Sequence, residues 1–269
     1  ADVVLVGEEH GNPVGHFLEA ELLRLAHTRY AQGEAKRPVA LSLEIPGTLK
    51  LAGKVEYKRL TGTEAEGGMT GDLFLGAVEL DLICLRTEVE AQLIIGKLTD
   101  AEGHTFDVAY VVLAAEFPAP IPIGATGAGL YGLKGLVGVN IAPDRHLSEG
   151  EPEPWFEWYK AERGDAPKYN ITHVDKWVPR RDAYAFGAGH TVGTVYDDGF
   201  TINVGALVAV LLPGPVVLIE GKGNLLKQRG ERDQEGAFYA LAVFDGNAGT
   251  FQLNLDIVYE LAEIIAVTG

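Results

Sequence analysis

Glu8, Glu9 and His10, in the stretch GEEH, are the residues of this sequence whose types and spacing come nearest to a chemical site. The turn follows a short apolar run, DVVLV at 2–6, and precedes a helix start at Asn12–Pro13. Ligands in open α/β sheets bind at the carboxyl ends of strands, so the position suits chemistry. Glu44 closes the next apolar run, RPVALSLE at 37–44, and would share that sheet edge, while His16 lies one turn into the helix. Carboxylates with imidazole make a workable set for a divalent ion or for proton transfer. Acidic residues are also common at helix starts, where the dipole favours them, and spacing alone leaves both readings open.

The elements that would hold these residues form a βαβ unit over 1–46. Asn12 caps the helix and Pro13 takes its first position, where a missing N–H costs nothing. Phe17, Leu18, Leu22, Leu25 and Ala26 recur at helical spacing, and Gly33 ends the run. One such unit does not suffice as a domain, because a parallel sheet needs cover on both faces.

The stretch VVLVGEEHGNPVGHFLEAELLRLAH…RPVALSLE resembles the first βαβ unit of the superfamily of ChaN-type haem-binding proteins, Tiki metalloproteases and erythromycin esterases. The resemblance covers residues 1–45. It implies Glu8 and His10 as a ligand or catalytic pair, with Glu44 at the matching acidic position. A divalent metal or haem would then be the cofactor. The stretches IPIGATGAGLYGLKGLVGVNIAP, FGAGHTVGTVYDDGFTINV and LLPGPVVLIEGKGNLL resemble an uncharacterised family of large β-rich bacterial proteins. That likeness implies an all-β architecture over 47–269 and no established activity or site; under the β-rich reading no cofactor is expected.

From Gly47 onward the apolar period changes to two. In GTLKLAGKVEYK, Leu49, Leu51, Val55 and Tyr57 alternate with Lys50, Lys54, Glu56 and Lys58. RTEVEAQLIIG and TFQLNLDIVYE alternate in the same way, as antiparallel strands with one apolar face do. DAEGH, YDDGF and FDGNAG mark hairpins. Residues 116–143 read as bent strands, and LVAVLLPGPVVLIEG at 207–221 as two strands around a tight turn. The polar stretch from 144 to 176, with Trp155, Phe156, Trp158 and Tyr159, reads as an excursion folding over a sheet edge or mouth. The expected fold is mainly β: a long, largely antiparallel amphipathic sheet, as roll, sandwich or open groove, with the small N-terminal βαβ element docked on it.

Composition narrows the function classes. A formal net charge of −16 in 269 residues repels nucleic acid and anionic membrane surfaces. No apolar run approaches the roughly 18 residues of a transmembrane helix. Glycine-rich alternating strands also suit a transmembrane β-barrel, although no regular aromatic girdle is visible. Cys84 is the single cysteine, which suits a reducing compartment without excluding secretion, and ADVVLVGEEH lacks the basic region of a signal peptide; this favours the cytoplasm and leaves the compartment open. GAGLYG at 127–132 fits a phosphate-loop spacing but no amphipathic helix follows it. His104, His146, His173 and His190 show no ligand spacing, and the two serines, Ser42 and Ser148, form no nucleophile elbow.

Two functions follow. The first is a non-enzymatic β-rich module for assembly or for binding an apolar ligand such as a lipid, with self-association through edge strands. The second is a metal-dependent hydrolase or a haem or metal binder, with Glu8 and His10 catalytic and Glu8, His10, Glu44 and His16 as ligands.

Overall fold

Alternation with period two continues almost unbroken from Leu51 to Ile257, and its structural result is one wide sheet. The computed structural model describes residues 39–46, 48–63, 67–83, 87–145, 147–148, 151–227, 238–261 and 265–268. The first six strands are β1 (Val39–Ile45), β2 (Leu49–Thr61), β3 (Thr70–Leu82), β4 (Thr87–Thr99), β5 (Thr105–Pro122) and β6 (Ala128–Pro143). The excursion then carries β7 (Leu147–Ser148), β8 (Glu151–Pro152), the helix α1 (Trp155–Lys160) and a 3-10 turn (Val174–Lys176). The sheet resumes with β9 (Trp177–Thr194), β10 (Ile202–Leu212), β11 (Val216–Leu225), β12 (Phe238–Asp245), β13 (Thr250–Leu261) and β14 (Ile265–Thr268).

Twelve strands lie in chain order as an antiparallel meander, β6 pairing with β9 across the excursion, while β7 and β8 form a separate hairpin. Among the described residues β1 and β14 each have one partner, so the sheet stays open. The three glycine-rich joints fall between paired strands, as their turn chemistry requires. Pro213–Gly214–Pro215 turns β10 into β11, with Gly214 at φ +68. The bend expected in 116–143 is a register shift between Glu116 and Ile121, where Pro118 and Pro120 have no ladder N–H to donate.

The sequence reads 37–44 as a strand of a βαβ unit. In the structure Val39–Ile45 pairs antiparallel with Leu49–Val55, the segment that follows it in the chain, and so becomes an outer strand of the large sheet among the described residues. Residues 1–38, which carry the rest of the expected element, lie outside the described residues.

The excursion covers one face of the sheet and forms the core with it. Trp158 and Tyr159 are fully buried and Trp155 nearly so, as the spacing i, i+3, i+4 on a short helix allows. They pack with Trp177, Tyr110, Leu136, Leu218 and Leu241 from the strands. Trp158 meets Trp177 edge-on with ring centres 6.4 Å apart, and Tyr169 stacks on Tyr239 at 3.9 Å. Each fully buried side chain of this size contributes roughly 1.5–3 kcal/mol. Glycine allows close approach here: a Cβ on Gly138 would lie 2.5 Å from the Ile141 side chain.

Polar groups fix the excursion across the whole width of the sheet. Asp165 accepts from Lys54 of β2 at 2.6 Å, the Val174 N–H reaches the Gln92 side-chain oxygen of β4 at 3.1 Å, and Tyr169 donates to Asp256 of β13. Residues only four apart in the excursion thus touch strands nine positions apart in the sheet. Laid flat at ~4.8 Å per strand, those strands would stand ~43 Å apart. The sheet curls around the excursion, which occupies its concave side.

Candidate functional site

The concave side holds a cleft of about 1000 Å³, lined by strands from β2 to β11 and by Pro167, Asn170 and His173 of the excursion. Its walls are charged. Glu79 stands opposite Glu90, and Glu88 is flanked by Asp81 and Glu116, while Lys54, Lys134 and Lys222 supply the opposite sign. Glu220 is buried and sits 3.4 Å from Lys222.

Beneath the cleft the excursion is held by the buried Lys176 and the half-buried Arg163. The Lys176 side chain is fully buried and donates to the carbonyls of Trp158 and Tyr159 at 3.1 and 2.8 Å. Burial pushes its amine down to about 8, against the pull of Glu220. Arg163 is held by Glu153 and by Asp144, whose carboxylate lies at 3.2 Å. Burial also holds the imidazole of His173 below its ordinary value, and its Nδ1 accepts from the Asp175 N–H at 3.2 Å.

The convex side is apolar and, among the described residues, uncovered. Val55, Gly76, Leu93, Val111, Val137, Phe186, Val210, Val217, Phe244 and Phe251 stand in register as one row across ten strands. The next row is Gly53, Val78, Ala91, Leu113, Gly135, Ala188, Val208, Ile219, Ala242 and Leu253. A third runs Leu51, Leu80, Val89, Ala115, Leu133, His190, Ala206, Gly221, Ala240 and Leu255. No charged side chain interrupts these rows, and His190 is the one polar member. On one side they end in charge: Arg59, Asp72, Lys97 and Asp107 stand in register on the same face, with ion pairs of 3.0 and 3.8 Å.

Most of the exposed large hydrophobics among the described residues belong to this face, among them Ile95, Leu113, Phe186, Ile219 and Leu253. Leu113 is 54% exposed, Phe186 47% and Leu253 67%. At about 25 cal/mol per Å² and 1.5–3 kcal/mol per side chain, their exposed portions amount to roughly 500–1,000 Å². That lies at or above the roughly 300–600 Å² of the largest patch on a typical monomer.

The residues expected to do chemistry are not brought together among the described residues. Glu8, His10 and His16 lie outside them, and Glu44 is an exposed residue of β1 opposite Lys50. His104 sits with Asp100 and Glu102 in the β4–β5 turn, with possible ligating atoms within 4.8 Å of one another. The Asp100 carboxylate there is already engaged by Arg181 and by the His104 N–H. His190 points to the convex side, His173 caps the 3-10 turn, and GAGLYG lies at the start of β6. The concave charges were legible only as the polar half of alternating strands. Nothing in the sequence placed β2 and β11 around one cleft.

Compared with known proteins, the chain matches no family model, no curated protein and no solved structure.

Proposed function

We propose that this chain is a non-catalytic lipid-contacting module that engages acyl chains with the convex face of its sheet. The observation that carries the reading is the depth of the uncharged rows on a face that no described residue covers. Apolar surface of this extent marks an interaction site, and three rows whose one hydrogen-bonding side chain is His190 suit a partner that offers few such groups. The concave side supports the same reading, because Glu79, Glu90, Lys134 and Glu220 lie there while the charges of the convex face are confined to the Arg59–Asp72–Lys97–Asp107 row at one end.

The test is binding of NBD-labelled phosphatidylcholine, followed by the rise in its fluorescence. Leu113→Glu and Val208→Glu place a charge at exposed positions in the middle of the face, where folding is little affected. Each should weaken binding at least tenfold, while Glu102→Gln in the β4–β5 turn leaves it unchanged. Equal binding by all variants would refute the reading.

The second reading, a metal or haem site on Glu8, His10, Glu44 and His16, rests on the resemblance of 1–45 and on the GEEH turn. It predicts stoichiometric metal or haem that is lost on His10→Ala.

A further inference from the structure

We propose that the convex face lies in the hydrocarbon layer of a bilayer, with the Arg59–Asp72–Lys97–Asp107 row at one polar boundary. This rests on the reading that the face contacts acyl chains, and it names their source.

Three observations favour a bilayer over other occupants. First, the apolar rows follow the outside of a curled sheet through ten strands. A second copy laid against it would touch only one side of the curve. A standard interface buries about 800 Å² per partner on one continuous patch, whereas this surface is spread around the bend.

Second, the dimensions fit. Along β10 the uncharged face extends from Leu212 to Ile202, ten residues apart, or ~33 Å at 3.3 Å per residue. At the 35–45° tilt of strands in membrane barrels this spans ~23–27 Å, against an apolar band of about 25 Å. Third, the charge distribution is inverted relative to a barrel in water. Glu79, Glu90, Lys134 and Glu220 line the concave cleft, the excursion fills the space beneath, and the outside carries no charge across three rows.

Hydrocarbon does not tolerate an unpaired sheet edge. Among the described residues β1 and β14 each have one partner, so insertion requires their outer edges to be paired as well, which hydrogen exchange reads directly in the amides of Val39–Ile45.

The test uses the full chain in phosphatidylcholine vesicles. Leu113→Cys and Asp107→Cys, each in a Cys84→Ser background, carry an NBD label, with Val208→Cys and Lys97→Cys as a second pair should the first fail to fold. Lipids brominated deep in the acyl chain should quench the label at 113 several-fold more than at 107, and the β1 amides should become protected. Equal quenching at both positions overturns the proposal. Binding of dispersed NBD-lipid without flotation on vesicles also overturns it while leaving the lipid-contact reading intact. A lipid-free dimer that shields position 113 overturns it in favour of a second copy.

Discussion

Lys176 makes the fold's pH dependence calculable. Its amine is fully buried among aromatic rings and gives hydrogen bonds to the carbonyls of Trp158 and Tyr159. Folding holds it at about 8, below the 10.5 of a free lysine. Protonation is disfavoured in the fold, so the unfolded chain binds more protons between those two values. Stability therefore rises with pH across that window, and the penalty is complete below it. Glu220 and Glu153 oppose the effect, and Lys222 and Arg163 reinforce it. The full penalty is roughly 3 kcal/mol, of which about 2 kcal/mol is relieved between pH 8 and 10. For a chain of this size that raises Tm by about 4–8 °C. Thermal unfolding followed by circular dichroism at pH 8, 9 and 10 measures it. Above pH 10 the trend reverses, because burial raises the Tyr159 hydroxyl while tyrosines of the unfolded chain ionise. Lys176→Met should remove the rise and leave Tm flat over the window. A rise of the same size in Lys176→Met, or a fall in the parent chain, would refute the assignment.

Three further outcomes follow from the packing. Tyr110→Phe removes the hydroxyl that donates to the Thr172 carbonyl at 2.8 Å, and denaturant titration should show a loss of about 1–2 kcal/mol. Leu136→Ala empties a position that is 1% exposed and should cost about 2–5 kcal/mol by the same measurement. Arg163→Ala removes the guanidinium that pairs with the Glu153 and Asp144 carboxylates, and limited proteolysis should then cut within 144–176 several times faster than in the parent chain.

Much of the fold was legible in residue order. Leu51, Val55 and Tyr57 do share a face, as do Phe251, Leu253, Leu255 and Ile257, because strand periodicity is a local property. The hairpins were legible for the same reason, glycine and aspartate having local turn preferences. What residue order did not carry was which face is covered. An apolar face was expected to form the core or line a groove. It lies on the outside of the bend because Trp155, Trp158, Tyr159 and Trp177 bring enough apolar surface to claim the other face. The excursion was legible as a departure from the sheet, but its docking depends on contacts such as Lys54–Asp165, 111 residues apart. Of the GEEH set, Glu44 alone is among the described residues, and it takes part in an antiparallel pairing that its apolar neighbours did not signal.

Which face is free is decided most directly by the phase of cysteine accessibility along one strand. In a Cys84→Ser background, single cysteines at Tyr110, Val111, Val112 and Leu113 of β5 would be treated with a small maleimide in lipid-free, folded protein. The account predicts rapid labelling at 111 and 113, which are 37% and 54% exposed, and protection at 110 and 112, which are 0% and 2% exposed. Labelling in the opposite phase, or protection at all four positions, would contradict it.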